Sequence, residues 1–361
     1  MTRCRREPGG SARVDAPGSQ TGYPLTVALA QFGQHPAPRY TIAHLSDPHL
    51  LAGGALQFDV VDTEAHLVRA LDMLADVEVP PQAIIVSGDL ADRGEAGAYV
   101  TVKRLVEGVA ERLGASVIWA IGNHDDRAAY ARVLFGEEST RPQDRVHELD
   151  GLRVVSLDTT VPGFHHGELE PDQLGWLRAV LSVAAPHGTL LVMHHPPLPT
   201  PLDRISQVIE LDGQAALAEL VRGSDIRAII SGHLHYPAYA VFAGVPVFTA
   251  SAICSTMELA GRERTYGVRD GAQAIAMIHV FDSGAGGMPG APVTHTVLPL
   301  LDAPLVVGRS FDDFGALETL SHEQRRALLS RHPERSGTGH TLRAEAWVGD
   351  AAGDQPVSSP G

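Results

Sequence analysis

The chain has 361 residues, a formal net charge of -15 and a mean hydropathy of -0.01, and 44% of its residues are apolar. These values are typical of a globular protein with a sizeable core, and no apolar run reaches the roughly 18 residues that span a bilayer. Lysine and arginine do not cluster, which argues against a nucleic-acid polymer as partner. The two cysteines, Cys4 and Cys254, provide neither a disulfide framework nor a thiolate metal site, and favour a cytoplasmic location.

Composition divides the chain into three parts. Residues 1–37 are rich in Gly, Ser, Pro and Arg, a composition that predicts a disordered leader and not a secretory signal. Val27 is an alternative translation start. Residues 38–300 alternate strand-like runs with amphipathic helical runs, at 64–74 and 174–184, and predict an α/β fold of βαβ units. Residues 301–361 predict a C-terminal tail, mostly irregular, with a short helix over 322–332.

Five apolar runs of the middle part end in carboxylate, amide or imidazole side chains. In chain order, TIAHLSDPH ends in Asp47 and His49, AIIVSGDLAD in Asp89 and Asp92, VIWAIGNHDD in Asn123 and His124, TLLVMHHPP in His194 and His195, and AIISGHLHY in His233 and His235. If these strands lie parallel, all five ends meet along one edge of the sheet. Open α/β sheets bind their ligands at that edge, so the pattern predicts a site there.

The donor types indicate a metal centre. Oxygen from Asp and Asn together with imidazole, without sulfur, suits Mn, Fe, Zn or Co. Residues i and i+2 of an extended segment share a face, so Asp47 with His49, and His233 with His235, are each expected to point the same way. Asp89 is the natural bridge between two ions because a carboxylate has two oxygens. The spacing matches neither the H-x-H-x-D-H nor the H-E-x-x-H type of metal site.

Most other histidines are expected to be surface or core residues, namely His44, His66, His147, His187, His279 and His295. His195 is interpreted as a residue that packs behind the site. For His165 and His166, in a Gly-flanked loop, substrate contact and solvent exposure are both open. Three glycines of the runs, Gly88, Gly122 and Gly232, are compatible with simple strand-ending turns.

The ordered set D-x-H, G-D-x-x-D, G-N-H-D, H-H-P-P and G-H-x-H resembles the calcineurin-like metallophosphoesterase superfamily, over residues 39 to about 300. The segments GDLADRGE, VVSLDTTVPGFHHGEL, MHHPPLP and SGHLHY resemble bacterial class III cyclic-nucleotide phosphodiesterases, especially the actinobacterial 3',5'-cyclic-nucleotide enzymes. The resemblance implies a four-layer α/β/β/α sandwich and a homodimer. It also implies two metal ions, iron or manganese, with zinc or cobalt as alternatives.

The resemblance further implies the role of each residue. One ion is expected on Asp47, His49, Asp89 and His235, and the other on Asp89, Asn123, His194 and His233. A hydroxide held between the two cations is expected to attack the phosphorus of a 3',5'-cyclic nucleotide, converting cyclic AMP to 5'-AMP. His124 is expected to assist the leaving oxygen, and Asp92 to orient the imidazole of His124.

Two other functions are compatible with the motifs. One is a metallophosphoesterase for another small diester or a monoester, such as a 2',3'-cyclic nucleotide or a phospholipid headgroup. The other is a non-catalytic protein whose metals only stabilise the fold. The presence of His124 and Asp92 argues against this function, because a purely structural metal site does not need them. None of the five motif blocks contains Lys, and only Arg93 and Arg127 lie nearby, which favours a diester because it carries less negative charge than a monoester.

Overall fold

Two mixed β-sheets form the centre of the protein. The computed structural model describes residues 31–260, 267–282, 292–301, 303–304, 315 and 317–330. The strands are β1 (Tyr40–Leu45), β2 (Ala83–Ser87), β3 (Ser116–Ala120), β4 (Arg145–Leu149), β5 (Leu152–Leu157), β6 (Thr189–Met193), β7 (Ile226–Ser231), β8 (Ala238–Phe242), β9 (Val245–Thr249), β10 (Thr256–Glu258), β11 (Gly267–Arg269), β12 (Ala274–Val280) and β13 (Val293–Pro299).

The helices connect and cover these strands. They are α1 (Thr63–Ala75), α2 (Ala96–Leu113), α3 (Arg127–Tyr130), α4 (Pro171–Leu181), α5 (Gln214–Val221) and α6 (His322–Leu329), with a 3-10 turn at Ala52–Gly54 and a π-helical turn at Ala131–Phe135. One sheet has the strand order β13-β12-β1-β2-β3, and the other has the order β4-β5-β6-β7-β9-β8. Strands β1, β2 and β3 run parallel, as do β5, β6, β7 and β9. Strands β10 and β11 form a separate antiparallel pair.

Three apolar layers hold the sheets and helices together. Leu67 and Leu71 of α1 and Val102 of α2 pack on the outer face of the first sheet. Side chains of β1, β2 and β3 meet those of β5, β6 and β7 between the sheets. Leu177 of α4 and Leu217 of α5 cover the outer face of the second sheet. The result is helix, sheet, sheet, helix, so the predicted four-layer α/β/β/α sandwich is confirmed.

The predicted helices form, but both boundaries of the run 174–184 differ from those of α4, Pro171–Leu181. The run 64–74 lies within α1, which begins after Asp62, whose carboxylate accepts a hydrogen bond from the Ala65 N–H at 2.9 Å. The run 174–184 predicts a later start than is observed, because α4 begins at Pro171. Proline is well suited to the first helical position, and the Gln173 side chain accepts a hydrogen bond from the Glu170 N–H at 3.0 Å.

The two ends of the chain are described only in part. Residues 1–30 of the predicted leader and 331–361 of the predicted tail lie outside the described residues. Helix α6 forms within the range 322–332, and the guanidinium of its Arg325 lies 4.6 Å from the ring centroid of Phe32. The predicted domain bounds stay a prediction. In the part of the chain that the structure describes, no helix is both long enough and apolar enough to cross a membrane.

Candidate metal centre

The polar residues that end the five apolar runs meet where the carboxyl ends of the parallel strands of both sheets come together. Asp47 and Asp89 follow β1 and β2 of the first sheet, while His194 and His233 follow β6 and β7 of the second. The expectation that all ends share one edge of a single sheet is therefore wrong. Because the sheets pack face to face, the carboxyl ends of both parallel sets reach the same region. The N–H of His233 donates to the carboxylate of Asp47 at 3.2 Å and so joins the two halves.

Four of the predicted ligands, Asp47, His49, Asp89 and His235, form the first ligand set. Each contributes one donor atom to a group in which all donors lie within 4.8 Å of one another. The Nε2 atoms of His49 and His235 are 3.2 Å apart, and His235 Nε2 is 3.5 Å from Asp47 Oδ1. Oxygen and imidazole donors that converge in this way fit a first-row transition metal.

The second ligand set consists of Asp89, Asn123, His194 and His233, and its members contact one another in pairs. Asp89 Oδ2 lies 3.2 Å from His194 Nε2, and His233 Nδ1 lies 3.0 Å from Asn123 Oδ1. The Nε2 atom of His194 is buried, and its neighbours are carboxylate oxygens of Asp89 and Asp47, at 3.2 and 3.8 Å, neither of which has hydrogen-bond geometry to it. A buried imidazole nitrogen that faces two carboxylates without such a bond fits a metal ligand.

The charges of the ligand side chains also fit the binding of metal cations. Burial disfavours the carboxylate of Asp89, but His194 and His124 outweigh burial and hold its pKa well below the usual range. Burial disfavours protonated His194, but Asp89 outweighs burial and raises its pKa to about 9. For His235, Cys254 and Asp47 likewise outweigh burial and raise the pKa to about 10. Asp89 and Asp47 thus favour the protonated forms of His194 and His235, whereas burial lowers the pKa of His233 to about 3. A metal ion would displace the protons of His194 and His235 because it binds neutral imidazole.

The backbone of these residues has a conformation that the sequence did not reveal. Asp47 and His49 have φ angles of 53° and 44°, and His233 and His235 have φ angles of 72° and 57°. The expectation that each pair lies in an extended segment is therefore wrong. Left-handed conformations are uncommon outside glycine, and they concentrate at functional sites where the surrounding structure enforces them.

Two glycines permit the close approach of the ligands. A Cβ atom on Gly122 would overlap the backbone nitrogen and the carboxylate of Asp89. A Cβ atom on Gly232 would overlap Ser46 and the Oδ2 atom of Asp47. These positions require glycine because two ligand loops touch there, and not merely because a strand ends.

Asp92 and His124 are neighbours, but their contact differs from the predicted one. The ring Nδ1 of His124 lies 2.8 Å from the backbone carbonyl of Asp92, and the His124 N–H donates to Asp89 Oδ1 at 2.8 Å. The Asp92 carboxylate instead lies 3.1 Å from Nδ1 of His49. The expectation that this carboxylate orients His124 is therefore wrong, because the carboxylate contacts His49 and it is the backbone carbonyl of Asp92 that contacts the ring of His124.

The loop over 160–167 borders the centre through its histidines. His165 is exposed, and its Nδ1 lies 3.0 Å from Nδ2 of Asn123. His166 is turned toward Glu168, with 3.1 Å between Nε2 and Oε1. His195 is buried and contacts Thr159 Oγ1 at 2.7 Å and the His165 carbonyl at 3.0 Å. His195 thus supports the loop that carries His165, while His165 itself reaches the second ligand set.

Two further residues of the centre were missed by the sequence analysis. Asp125 accepts hydrogen bonds from the N–H groups of Leu90, Ala91 and Gly122, and so ties two ligand loops together. Cys254 is buried, with Sγ 3.7 Å from His235 Nδ1. Asp125 belongs to the G-N-H-D motif, but no role was predicted for it. Nothing in the sequence around Cys254 indicates that its segment approaches the centre, because it does so from a distant part of the chain.

Comparison with known proteins identifies relatives over most of the chain. The family model for calcineurin-like phosphoesterases matches residues 40–237. A probable cyclic nucleotide phosphodiesterase of Rhodococcus erythropolis is 43% identical over 304 residues, which cover 84% of this chain and 97% of that protein. A cAMP/cGMP dual specificity phosphodiesterase of Mycobacterium tuberculosis is 45% identical over 268 residues, which cover 74% of this chain and 81% of that protein.

Among solved structures, a dimetal phosphatase from Danio rerio is similar, with a TM-score of 0.49 and 16% identity, covering 72% of this chain and 99% of that one. The resemblance inferred from the five motifs is confirmed by the match of the family model, which spans all of them. The chain belongs to the calcineurin-like phosphoesterase family.

Proposed function

We propose that this chain is a dinuclear-metal phosphodiesterase that opens 3',5'-cyclic nucleotides, converting cyclic AMP to 5'-AMP. One observation carries the metal pair: a single atom, Asp89 Oδ2, lies 3.3 Å from His49 Nε2 and 3.2 Å from His194 Nε2. Asp89 thereby lies between the two ligand sets, as a bridging carboxylate must. The two relatives named as cyclic-nucleotide phosphodiesterases support the substrate class.

The first and second ligand sets would hold the two ions, with Asp89 shared. The pair would supply Lewis-acid chemistry, since it would neutralise phosphate charge and make water more acidic. We propose manganese or iron for the two ions, as the family resemblance implies, with zinc or cobalt as alternatives; oxygen and nitrogen donors without sulfur are compatible with all four metals. A homodimer and a cytoplasmic location remain part of this proposal and rest on the family resemblance and the two cysteines.

His124 is the residue that we assign to the leaving oxygen. Its Nδ1 donates to the Asp92 carbonyl at 2.8 Å, which fixes the ring orientation and leaves Nε2 as the atom for proton transfer. His124 belongs to neither ligand set, yet its N–H contacts the bridging Asp89 at 2.8 Å. It is therefore adjacent to the phosphate without competing for an ion. The Asp92 carboxylate contacts His49, with Oδ1 3.1 Å from Nδ1, while the Asp92 backbone carbonyl orients the ring of His124.

A cavity of about 360 Å³ borders the centre and offers room for the organic part of the ester. Its lining includes Asn123, His124, Arg93 and Arg127. Arg127 is already engaged, at 2.8 Å from Asp158 and 2.9 Å from the Thr160 carbonyl, whereas the Arg93 side chain is 70% exposed. With Arg127 engaged, Arg93 is the arginine of this lining that is left to meet phosphate charge. So little positive side-chain charge favours a singly charged diester over a monoester.

Two nitrophenyl esters test the reaction class. Manganese-loaded protein should hydrolyse bis-(p-nitrophenyl) phosphate with a higher kcat/KM than p-nitrophenyl phosphate, and a chelator should abolish both rates. The expectation follows from the charge of the cavity and from the shared Asp89. A preference for the monoester would favour a phosphatase, and absence of hydrolysis in metal-loaded protein would favour a structural role of the ions.

A further inference from the structure

The short hairpin at residues 56–61 has an inverted pattern of burial. Phe58 and Val60 are 62% and 73% exposed, whereas the polar Gln57 is only 4% exposed. The hairpin closes through hydrogen bonds of 2.9 Å between Gln57 and Val61, each N–H donating to the other's carbonyl. Burying an amide while apolar neighbours face solvent costs free energy unless its hydrogen bonds serve another part of the protein. The hydrogen bonds of the buried Gln57 side chain are therefore expected to serve another part of the protein.

Both ends of the Gln57 amide have partners. Nε2 donates to Asp92 Oδ1 at 3.1 Å, and Oε1 accepts a hydrogen bond from Ser255 Oγ at 3.3 Å. Ser255 is 1% exposed, so the contact is shielded from solvent. The orientation of the amide is fixed, because a carboxylate oxygen of Asp92 requires a donor opposite it.

Each of these partners also contacts a histidine of the first ligand set. Asp92 Oδ1 lies 3.1 Å from His49 Nδ1, and the Ser255 carbonyl lies 2.9 Å from His235 Nδ1. The opposite ring atoms, the two Nε2 atoms, converge to 3.2 Å. Gln57 thus closes a chain of contacts that runs from one imidazole, through Asp92 and Ser255, to the other.

We propose that Gln57 is a positioning residue of the metal centre, which couples the imidazoles of His49 and His235 so that both present Nε2 to the same ion. Partners on the far ring nitrogen fix the tautomer and direction of a ligating histidine, and their loss typically weakens metal binding about 10-fold to 100-fold. The proposal rests on the metal centre of the proposed function. Gln57 lies outside all five motifs.

The test is chelator competition on manganese-loaded, full-length protein. Gln57→Leu removes both hydrogen bonds and should weaken binding of the Mn²⁺ in the first ligand set by about 10-fold or more. Leu56→Ala is the matched control, because Leu56 lies in the same hairpin and is 41% exposed; its affinity should equal that of the wild-type chain.

A second variant tests the coupling and guards against misfolding of the first. Ser255→Ala keeps the carbonyl that contacts His235 but removes the hydroxyl that contacts Gln57, and should weaken Mn²⁺ binding severalfold. The double variant should bind like Gln57→Leu alone, because both changes break one chain of contacts. Additive effects would contradict the coupling.

Affinity within twofold of the wild-type value in Gln57→Leu would overturn the proposal, and so would an equal loss in Leu56→Ala. The readout is metal binding, so it does not depend on the substrate. If the affinity changes as expected while cyclic AMP is not opened, Gln57 keeps its role and the proposed function fails.

Discussion

At the scale of single residues, the centre depends on conformations that are costly elsewhere. Asp89, with φ of 51°, shares the left-handed region with four other ligands: Asp47, His49, His233 and His235. Residues held in this region cost on the order of 1–3 kcal/mol each and persist only when their surroundings fix them. The hydrogen bonds between ligand loops, such as those accepted by Asp125, supply that support.

His124 gives the sharpest single-residue prediction. His124→Ala should retain its metal content and lose about 10²-fold in kcat for cyclic AMP, the usual scale for a positioned acid or charged group. The loss should be smaller for bis-(p-nitrophenyl) phosphate, since p-nitrophenolate leaves without a proton. Steady-state kinetics together with elemental analysis measures both effects.

His322→Ala is the control for that experiment, because His322 begins α6 and is exposed, away from the centre. Its kcat should equal that of the wild-type chain. An unchanged kcat in His124→Ala would remove His124 from the reaction, and an equal loss with both substrates would contradict a role at the leaving oxygen.

The identities of the predicted ligands follow from the sequence, whereas some of their contacts do not. Asp47, Asp89 and His194 are recognisable because each follows an apolar run, and parallel runs bring their ends together. The contact of Asp92 with His49, and the approach of Cys254, depend on how distant loops meet. Nothing local in the sequence encodes those distances, so the role predicted for the Asp92 carboxylate was wrong.

At the scale of elements, two strands of the first sheet, β1 and β13, place a pair of histidines in the layer between the sheets. His44 of β1 is fully buried, with Nε2 2.9 Å from Ser87 Oγ and Nδ1 3.1 Å from Nε2 of His295 on β13. The His295 ring also stacks on Phe248 of β9, with centroids 5.1 Å apart. Burial lowers the pKa of His44, and burial lowers the pKa of His295 to about 4.

This pair predicts acid sensitivity of the fold. A histidine whose folded pKa lies below its unfolded value near 6.5 leaves the fold at full stability above pH 6.5, and stability is lost as pH falls from 6.5 to the folded pKa, because the unfolded state binds the proton first. Because of His295, the free energy of unfolding should therefore fall by about 2 kcal/mol between pH 7 and pH 5. Urea unfolding at both pH values measures the change.

His295→Gln should show a smaller fall in unfolding free energy between pH 7 and pH 5 than the wild-type chain, because glutamine does not titrate. The metal ligands titrate equally in both proteins, so the difference reports on His295 and on its contact with His44. Equal falls in the two proteins would contradict a depressed pKa at this position.

The elements that carry the site were readable from the sequence, except for their division into two sheets. The apolar runs predicted five of the strands, β1, β2, β3, β6 and β7, and the amphipathic runs predicted the helices α1 and α4. The same apolar run fits a strand of either sheet, because local pattern does not state which neighbour a strand pairs with. Only the resemblance carried by the five motifs implied two facing sheets.

At the scale of the whole molecule, the centre is assembled from both sheets. One sheet contributes Asp47 and Asp89, the other contributes His194 and His233, and the contact between His233 and Asp47 spans them at 3.2 Å. Neither sheet alone supplies a complete ligand set. We infer that formation of the centre and packing of the two sheets are coupled, so metal ions should stabilise the sandwich as a unit.

The most direct test of the account measures metal content and opening of cyclic AMP on the same preparations of the wild-type chain, Asp89→Ala and Asn123→Ala. The wild-type chain should retain two ions and convert cyclic AMP to 5'-AMP. Asp89→Ala should retain less metal than Asn123→Ala and show no turnover, because Asp89 Oδ2 lies close to histidines of both ligand sets. Two ions retained in Asp89→Ala, or a metal-loaded wild-type chain that does not open cyclic AMP, would contradict the account.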